Sequence, residues 1–189
     1  MEDSTALAEL DIAALVRGKL KAPVPLKLDD ERVQPLIRAL AVLDDLEDFH
    51  RKAGRGEAAL EEQLARVRTL RNVLTEQEDR ALPGAYLSEI LPTYRMLPWW
   101  SMGMALLADI VQQDDGDLAR AHALAKDCAA TYPETLGGTS CKLLKAELEA
   151  PAYELQSMAA DAAGKRSLRV THKNLKRLYF RAYELDLKQ

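Results

Sequence analysis

A chain of 189 residues has room for one ordinary domain, or for one domain and a fragment of a second. With 48% hydrophobic and 30% charged residues it is composed like a globular protein with a core, which excludes disorder over most of its length. A net charge of −4 excludes a general polyanion binder, and no apolar run reaches the ~18 residues of a membrane span.

The first residues, Met1-Glu2-Asp3-Ser4-Thr5, are acidic where a signal peptide would be basic and then apolar. The chain therefore reads either as cytoplasmic or as an internal fragment. Aromatic residues are scarce, and the Ala-, Leu-, Glu- and Arg-rich palette favours helices that pack through aliphatic stripes.

Leu7, Leu10 and Ala14 recur at helical spacing and predict a first amphipathic helix that fades near Gly18. Ala22-Pro23-Val24-Pro25 should be extended, since each proline removes a donor and biases its predecessor away from α. Asp29-Asp30 offers caps for a second helix with the stripe Val33, Leu36, Ile37, Leu40, Leu43, Leu46 and Phe49; Pro35 falls in its first turns, and Gly54 and Gly56 end it. The third helix has the clearest period: Leu60, Leu64, Val67, Leu70 and Leu74 share a face, with Glu61, Glu62, Arg66, Arg68 and Arg71 around it, and Pro83-Gly84 is its stop. Pro92 and Pro98 predict short helical pieces carrying Tyr86, Ile90, Leu91, Tyr94 and Met96.

From Trp99 the pattern becomes one of short helix pairs. Trp99, Gly103, Leu106 and Leu107 fall on one helix, and Asp114-Asp115-Gly116-Asp117 makes a turn. Ala119 to Tyr132 forms the next helix, closed by Pro133, and Leu136 to Ala150 another, closed by Pro151. After Ala163-Gly164 the period changes from 3.6 to 2. Leu168 to Thr171 is a short strand, His172-Lys173-Asn174 a turn, and Leu178 to Leu187 a second strand.

Sites for chemistry are hard to assemble. Two cysteines, Cys128 and Cys141, form no CxxC pair, and His50, His122 and His172 lie in different segments with no ligand spacing. No phosphate loop and no GxSxG occurs. Adjacent acids such as Asp44-Asp45 and Glu61-Glu62 splay around a helix surface instead of converging. No catalytic, cofactor-binding or metal-ligating residue is therefore expected, and no enzyme. Trp99-Trp100 after Pro98 is a candidate partner contact; adjacent helix positions point about 100° apart, so at most one of the two is expected to be fully buried in a core face. Lys165, Arg166, Arg169, Lys173, Lys176, Arg177 and Arg181 make a basic run with no acid between Asp161 and Glu184. The acidic remainder and the inward alternation of its aromatics argue for a polar strand face rather than a nucleic-acid strip.

Helices ending near Tyr132 and starting near Leu136 would bring Cys128 and Cys141 to similar heights across a hairpin, within bridging range. In an exported protein a disulfide is expected; in a cytosolic one, two reduced core thiols.

Gly116, Ala121 and Pro133 resemble the turn glycine, small contact residue and closing proline of a tetratricopeptide repeat, and Trp99 with Gly103 resembles that family's first-helix pair. The two registers do not coincide, and no second copy follows, so the resemblance implies similar helix pairing rather than a solenoid. A second resemblance spans about a third of the chain. Tyr132-Pro133, Gly137-Gly138 and Cys141, then a helix, then Asn174-Leu175 and Leu178-Tyr179-Phe180-Arg181-Ala182-Tyr183 are similar to a junction in bacterial alpha-2-macroglobulin-like proteins. There a helical region leads into the first macroglobulin β-sandwich. That family's thioester motif is absent here, so protease trapping cannot reside in these residues. The resemblance implies an exported protein of the cell envelope, periplasm or extracellular space; otherwise the chain is cytoplasmic.

The fold class expected is thus mainly α, with helical hairpins stacked in tetratricopeptide fashion over residues 1–163, followed by a β-hairpin segment at 164–189 that begins a sandwich. The function expected is a non-catalytic structural or interaction module of an alpha-2-macroglobulin-like protease inhibitor, or else a free-standing tetratricopeptide-like adaptor. Its partner would be a protein, either the rest of a larger chain or a bound peptide, with no nucleic acid and no membrane span.

Overall fold

The computed structural model describes residues 11–18, 33–157, 167–181 and 183. Within them the chain is mainly helical, with one two-stranded antiparallel sheet. It divides into two compact units, residues 1–145 and 146–189. The division expected at 163/164 falls outside the described residues, as do Leu7, Leu10 and the Ala22–Pro25 stretch.

The first unit opens with α1 (Ile12–Val16), capped by Asp11, whose Oδ1 accepts from the Ala14 N–H at 3.0 Å. Pro35 starts α2 (Pro35–Lys52), where its missing N–H is no loss. Gly54, at φ 69°, supplies the left-handed turn that ends α2, but Gly56 opens α3 (Gly56–Arg71) instead of sharing that stop. Three residues separate α2 from α3, and a connection that short lays them side by side. The predicted α3 stripe is the core of the unit: Leu60, Leu64, Val67 and Leu70 are fully buried. The α2 stripe divides. Leu40 is buried, whereas Phe49 is 57% exposed, because α3 covers the Leu40–Glu47 line of α2 and leaves its other apolar flank open.

Pro83-Gly84 does not stop a helix. Both residues sit inside α4 (Gln77–Ile90), and both are buried. A Cβ on Gly84 would meet Ile110 Cγ2 at 3.1 Å, so this is where α5 (Trp100–Ile110) crosses α4. Burial in that contact offsets the ~3 kcal/mol that proline costs inside a helix. Tyr86 and Ile90 therefore belong to α4, and only Leu91–Tyr94 forms a short 3₁₀ piece. After α5, residues Val111–Asp115 widen into a π-turn, and Gly116 takes φ 69°. Asp117 then caps α6 (Leu118–Thr131), accepting from the Arg120 N–H at 2.9 Å. The last helix, α7 (Leu136–Glu149), runs across the boundary between the two units.

In the second unit, β1 (Ala152–Ser157) pairs antiparallel with β2 (Leu168–Lys173). β1 starts just after Pro151, in residues the sequence reading assigned to no strand. His172 and Lys173 belong to β2 rather than to a turn. Asn174 alone makes that turn, at φ 56°. Its Nδ2 donates to the carbonyls of Leu148 at 2.7 Å and Ala150 at 3.4 Å, satisfying acceptors left over at the end of α7. Of the strand expected over Leu178 to Leu187, the described residues 178–181 and 183 have no regular structure, and the remainder lies outside the described residues.

Candidate interaction surface and buried polar network

The two tryptophans separate. Trp100 is 2% exposed and belongs to the core, so it presents no surface to a partner. Arg95 lies over its ring at 5.0 Å, and Tyr132 packs 6.0 Å away. Trp99 is half-buried, its Nε1 donating to Glu61 at 2.8 Å. Arg95 in turn forks onto Asp127, with both N–H···O distances 2.9 Å. That hydrogen bond, helped by the charge of Arg95, holds the Asp127 carboxyl below its ordinary value of 3.8. Because the folded value is the lower one, the pair stabilises the fold fully above that ordinary value and loses its contribution as pH falls through the folded one. Both side chains are about half exposed, so the effect is small. Asp127→Asn should cost less than ~1 kcal/mol near neutral pH, and urea unfolding near pH 2 should show a still smaller difference from the parent.

A charged cluster lies inside the helical unit where none was expected. Arg66 is 0% exposed. It donates to Glu47 and lies 2.6 Å from Asp44, both on α2. Glu47 also accepts from Gln63 Nε2 at 2.7 Å and from Arg51. Gln63 Nε2 reaches the Tyr94 hydroxyl as well, at 3.0 Å. Burial opposes the charge on Arg66, but the Glu47 hydrogen bond and the two carboxylates outweigh it and hold the guanidinium above its ordinary value. Burial, and then the charge of Glu47, push Tyr86 up to about 12, so it stays protonated. Gly18 closes the cluster from above: at φ 66°, a Cβ there would stand 2.7 Å from the Arg66 Cζ. Beside it, Arg17 forks onto Glu89 at 3.0 and 2.6 Å. The cluster ties α1, α2, α3 and the 3₁₀ turn together. The contacts to both carboxylates come from Arg66 Nη2, while Arg66 Nε and Nη1 and Gln63 Oε1 are buried without a hydrogen-bond partner.

A cavity of about 490 Å³ lies beside the π-turn, lined by Thr75, Gln77, Arg80, Gln113, Asp114 and Asp115. Asp114, almost fully buried, accepts from Arg71 Nε at 2.8 Å and from Arg80, which neutralises the centre of the lining. His50 stacks edge-on against Phe49 at 5.3 Å, and His172 lies on β2. Among the described residues, no group of three or more His, Cys, Asp or Glu is arranged to hold a metal, and no helix is long and apolar enough to cross a membrane.

Cys128 on α6 and Cys141 on α7 are joined, with Cα atoms 6.0 Å apart. Beside them, a Cβ on Gly137 would meet the Ser101 carbonyl carbon at 2.3 Å. Hydrogen as a side chain is what lets α7 approach α5.

The sheet of the second unit has two unlike faces. Opposite residues of an antiparallel pair share a face. Tyr153/His172, Leu155/Val170 and Ser157/Leu168 therefore make one face, and Ala152/Lys173, Glu154/Thr171 and Gln156/Arg169 the other. The first carries most of the apolar side chains, and Tyr153 is 63%, Leu155 47% and Leu168 61% exposed, while Val170 is half-buried. Past the sheet, Tyr179, Phe180 and Tyr183 are exposed as well. No family model matches the chain, and no similar curated protein or solved structure is found. The reading of function therefore rests on these residues alone.

Proposed function

We propose that this chain is a non-catalytic structural and interaction module, in which a helical unit leads into a β-domain built outward from the β1–β2 sheet. One observation carries this reading: Tyr153, Leu155 and Leu168, on one face of the antiparallel pair, are exposed to water. Two strands alone are marginally stable in water, and an apolar face of this kind is explained by a further layer that covers it. The exposed Tyr179, Phe180 and Tyr183 extend the same apolar supply. The arrangement of a helical region followed by a nascent sheet fits the junction of bacterial alpha-2-macroglobulin-like proteins that residues 132–183 resemble. In that setting the chain is part of an exported protease inhibitor whose trapping chemistry lies elsewhere. A disulfide between buried cysteines also suits an oxidising compartment.

A free-standing adaptor with tetratricopeptide-like helix pairing is the second reading. It is favoured by the close packing of α5 with α6 and by Ala121 and Ala125, both fully buried on α6.

Amide exchange separates the two. In these 189 residues, amides of 152–157 and 168–173 should exchange at least ~100-fold faster than those of 60–70. In a polypeptide extended past Gln189 in its natural reading frame, the sheet should become protected to within ~10-fold of α3. Strong protection of the sheet in the 189-residue chain, or a reading frame that closes at Gln189, overturns the β-domain reading.

A further inference from the structure

The attachment of α7 is unlike that of the other helices. On α7 Gly137, Gly138, Cys141 and Leu148 are buried, and Leu148 lies past residue 145, so within the first unit Cys141 supplies the one buried side chain of α7 beyond hydrogen. Leu136 and Leu143, the apolar residues that would anchor an ordinary amphipathic helix, are 71% and 69% exposed. Leu144 is only half-buried. What faces the helical unit is two glycines, close against the Ser101 and Tyr132 backbones, and the sulfur bonded to Cys128. Close backbone contact requires α7 to be held at the right depth, and glycine offers no apolar area to do it. A helix of 14 residues with Gly137 and Gly138 in its first turn is also marginal by itself in water. The covalent path from the first unit to the β1–β2 sheet runs through this helix.

We propose that the Cys128–Cys141 bond is a redox-controlled clamp: oxidised, it fixes α7 to the helical unit, and reduced by a dithiol, it releases α7 while α1 to α6 stay folded. The reductant donates two electrons and two protons to the S–S bond. This yields two cysteine thiols and the reductant's own disulfide. The clamp does not depend on what covers the sheet. If the β-domain reading fails, the release of α7 is still observed or refuted separately.

The test is amide exchange of the 189-residue chain before and after dithiothreitol, with reduction verified by the gain of two mass units. Exchange at 139–149 should accelerate at least ~10-fold, while exchange at 60–70 stays within ~2-fold. The doubly substituted Cys128→Ala/Cys141→Ala chain should behave like the reduced protein without any reagent. Unchanged protection of α7 with both thiols free would overturn the proposal. So would loss of protection in α3 along with α7, since the bond would then support the whole unit rather than clamp one helix.

Discussion

Arg66→Ala is expected to cost ~3–5 kcal/mol of unfolding free energy, a large share of the ~5–15 kcal/mol by which a domain is ordinarily stable. The reason is what the substitution leaves behind. Glu47 is 7% exposed and is oriented by Arg66, Gln63 and Arg51, and Asp44 is held 2.6 Å from the same guanidinium. Without Arg66 two carboxylates remain in a poorly solvated site with less than their due of positive charge. Arg66→Lys should recover part of the loss, because a single Arg66 nitrogen, Nη2, meets both carboxylates and a shorter ammonium can replace it only if it reaches the same point. A chain carrying Arg66→Met, Glu47→Met and Asp44→Asn removes the three charges that meet there, while buried Gln63 keeps the Tyr94 hydroxyl. It should lie within ~1 kcal/mol of the parent, since apolar replacement of a buried ion pair is often neutral. Urea unfolding followed by far-ultraviolet circular dichroism measures all three. A parent-like midpoint for Arg66→Ala would mean that the cluster is solvated and contributes nothing.

Gly137→Ala should lower the melting temperature of the helical unit by roughly 5–10 °C, the effect of ~2–3 kcal/mol in a chain of this size. The added methyl would lie 2.3 Å from the Ser101 carbonyl carbon and 2.4 Å from the Met102 nitrogen. Both are backbone atoms of α5, so relief requires moving a helix rather than turning a side chain. The gain of ~0.5–1 kcal/mol from replacing glycine within a helix does not offset this. Gly56→Ala makes the contrast. Its Cβ would meet only the flexible Cδ1 of Leu97, at 3.1 Å, at a helix position that favours alanine. Differential scanning calorimetry should find Gly56→Ala unchanged or slightly raised. Equal melting temperatures for the two variants would remove the case for a backbone-to-backbone contact between α7 and α5.

Several features of this protein were legible in the sequence because they are set by neighbours along the chain. The α3 stripe needs only residues three and four apart, and Gly54, Gly116 and Asp117 end or start helices through their own backbone preferences. The α6–α7 hairpin, too, is announced by Pro133 between two amphipathic runs. The placement of Cys128 and Cys141 follows from that short connection. Other features depend on what covers a residue from far away in sequence, and no local pattern carries that. Arg66 sits about 100° around α3 from the centre of its apolar stripe, where a cation is normally solvated. It is buried because Gly18 and Asp44 arrive there from two other segments. Phe49 continues the α2 stripe yet stays exposed, because α3 covers the line through Leu40 and Glu47. Pro83-Gly84 reads as a helix stop, but contact with Ile110 outweighs the lost hydrogen bond. β1 has no β-branched residue, and its brief Tyr153–Gln156 alternation is too short to name a strand by itself; pairing with Leu168–Lys173 makes it one. Local periodicity set the helices and their caps, while burial was decided by which segments met in space, since the free energy of burying a group depends on its neighbours and not on its position in the chain.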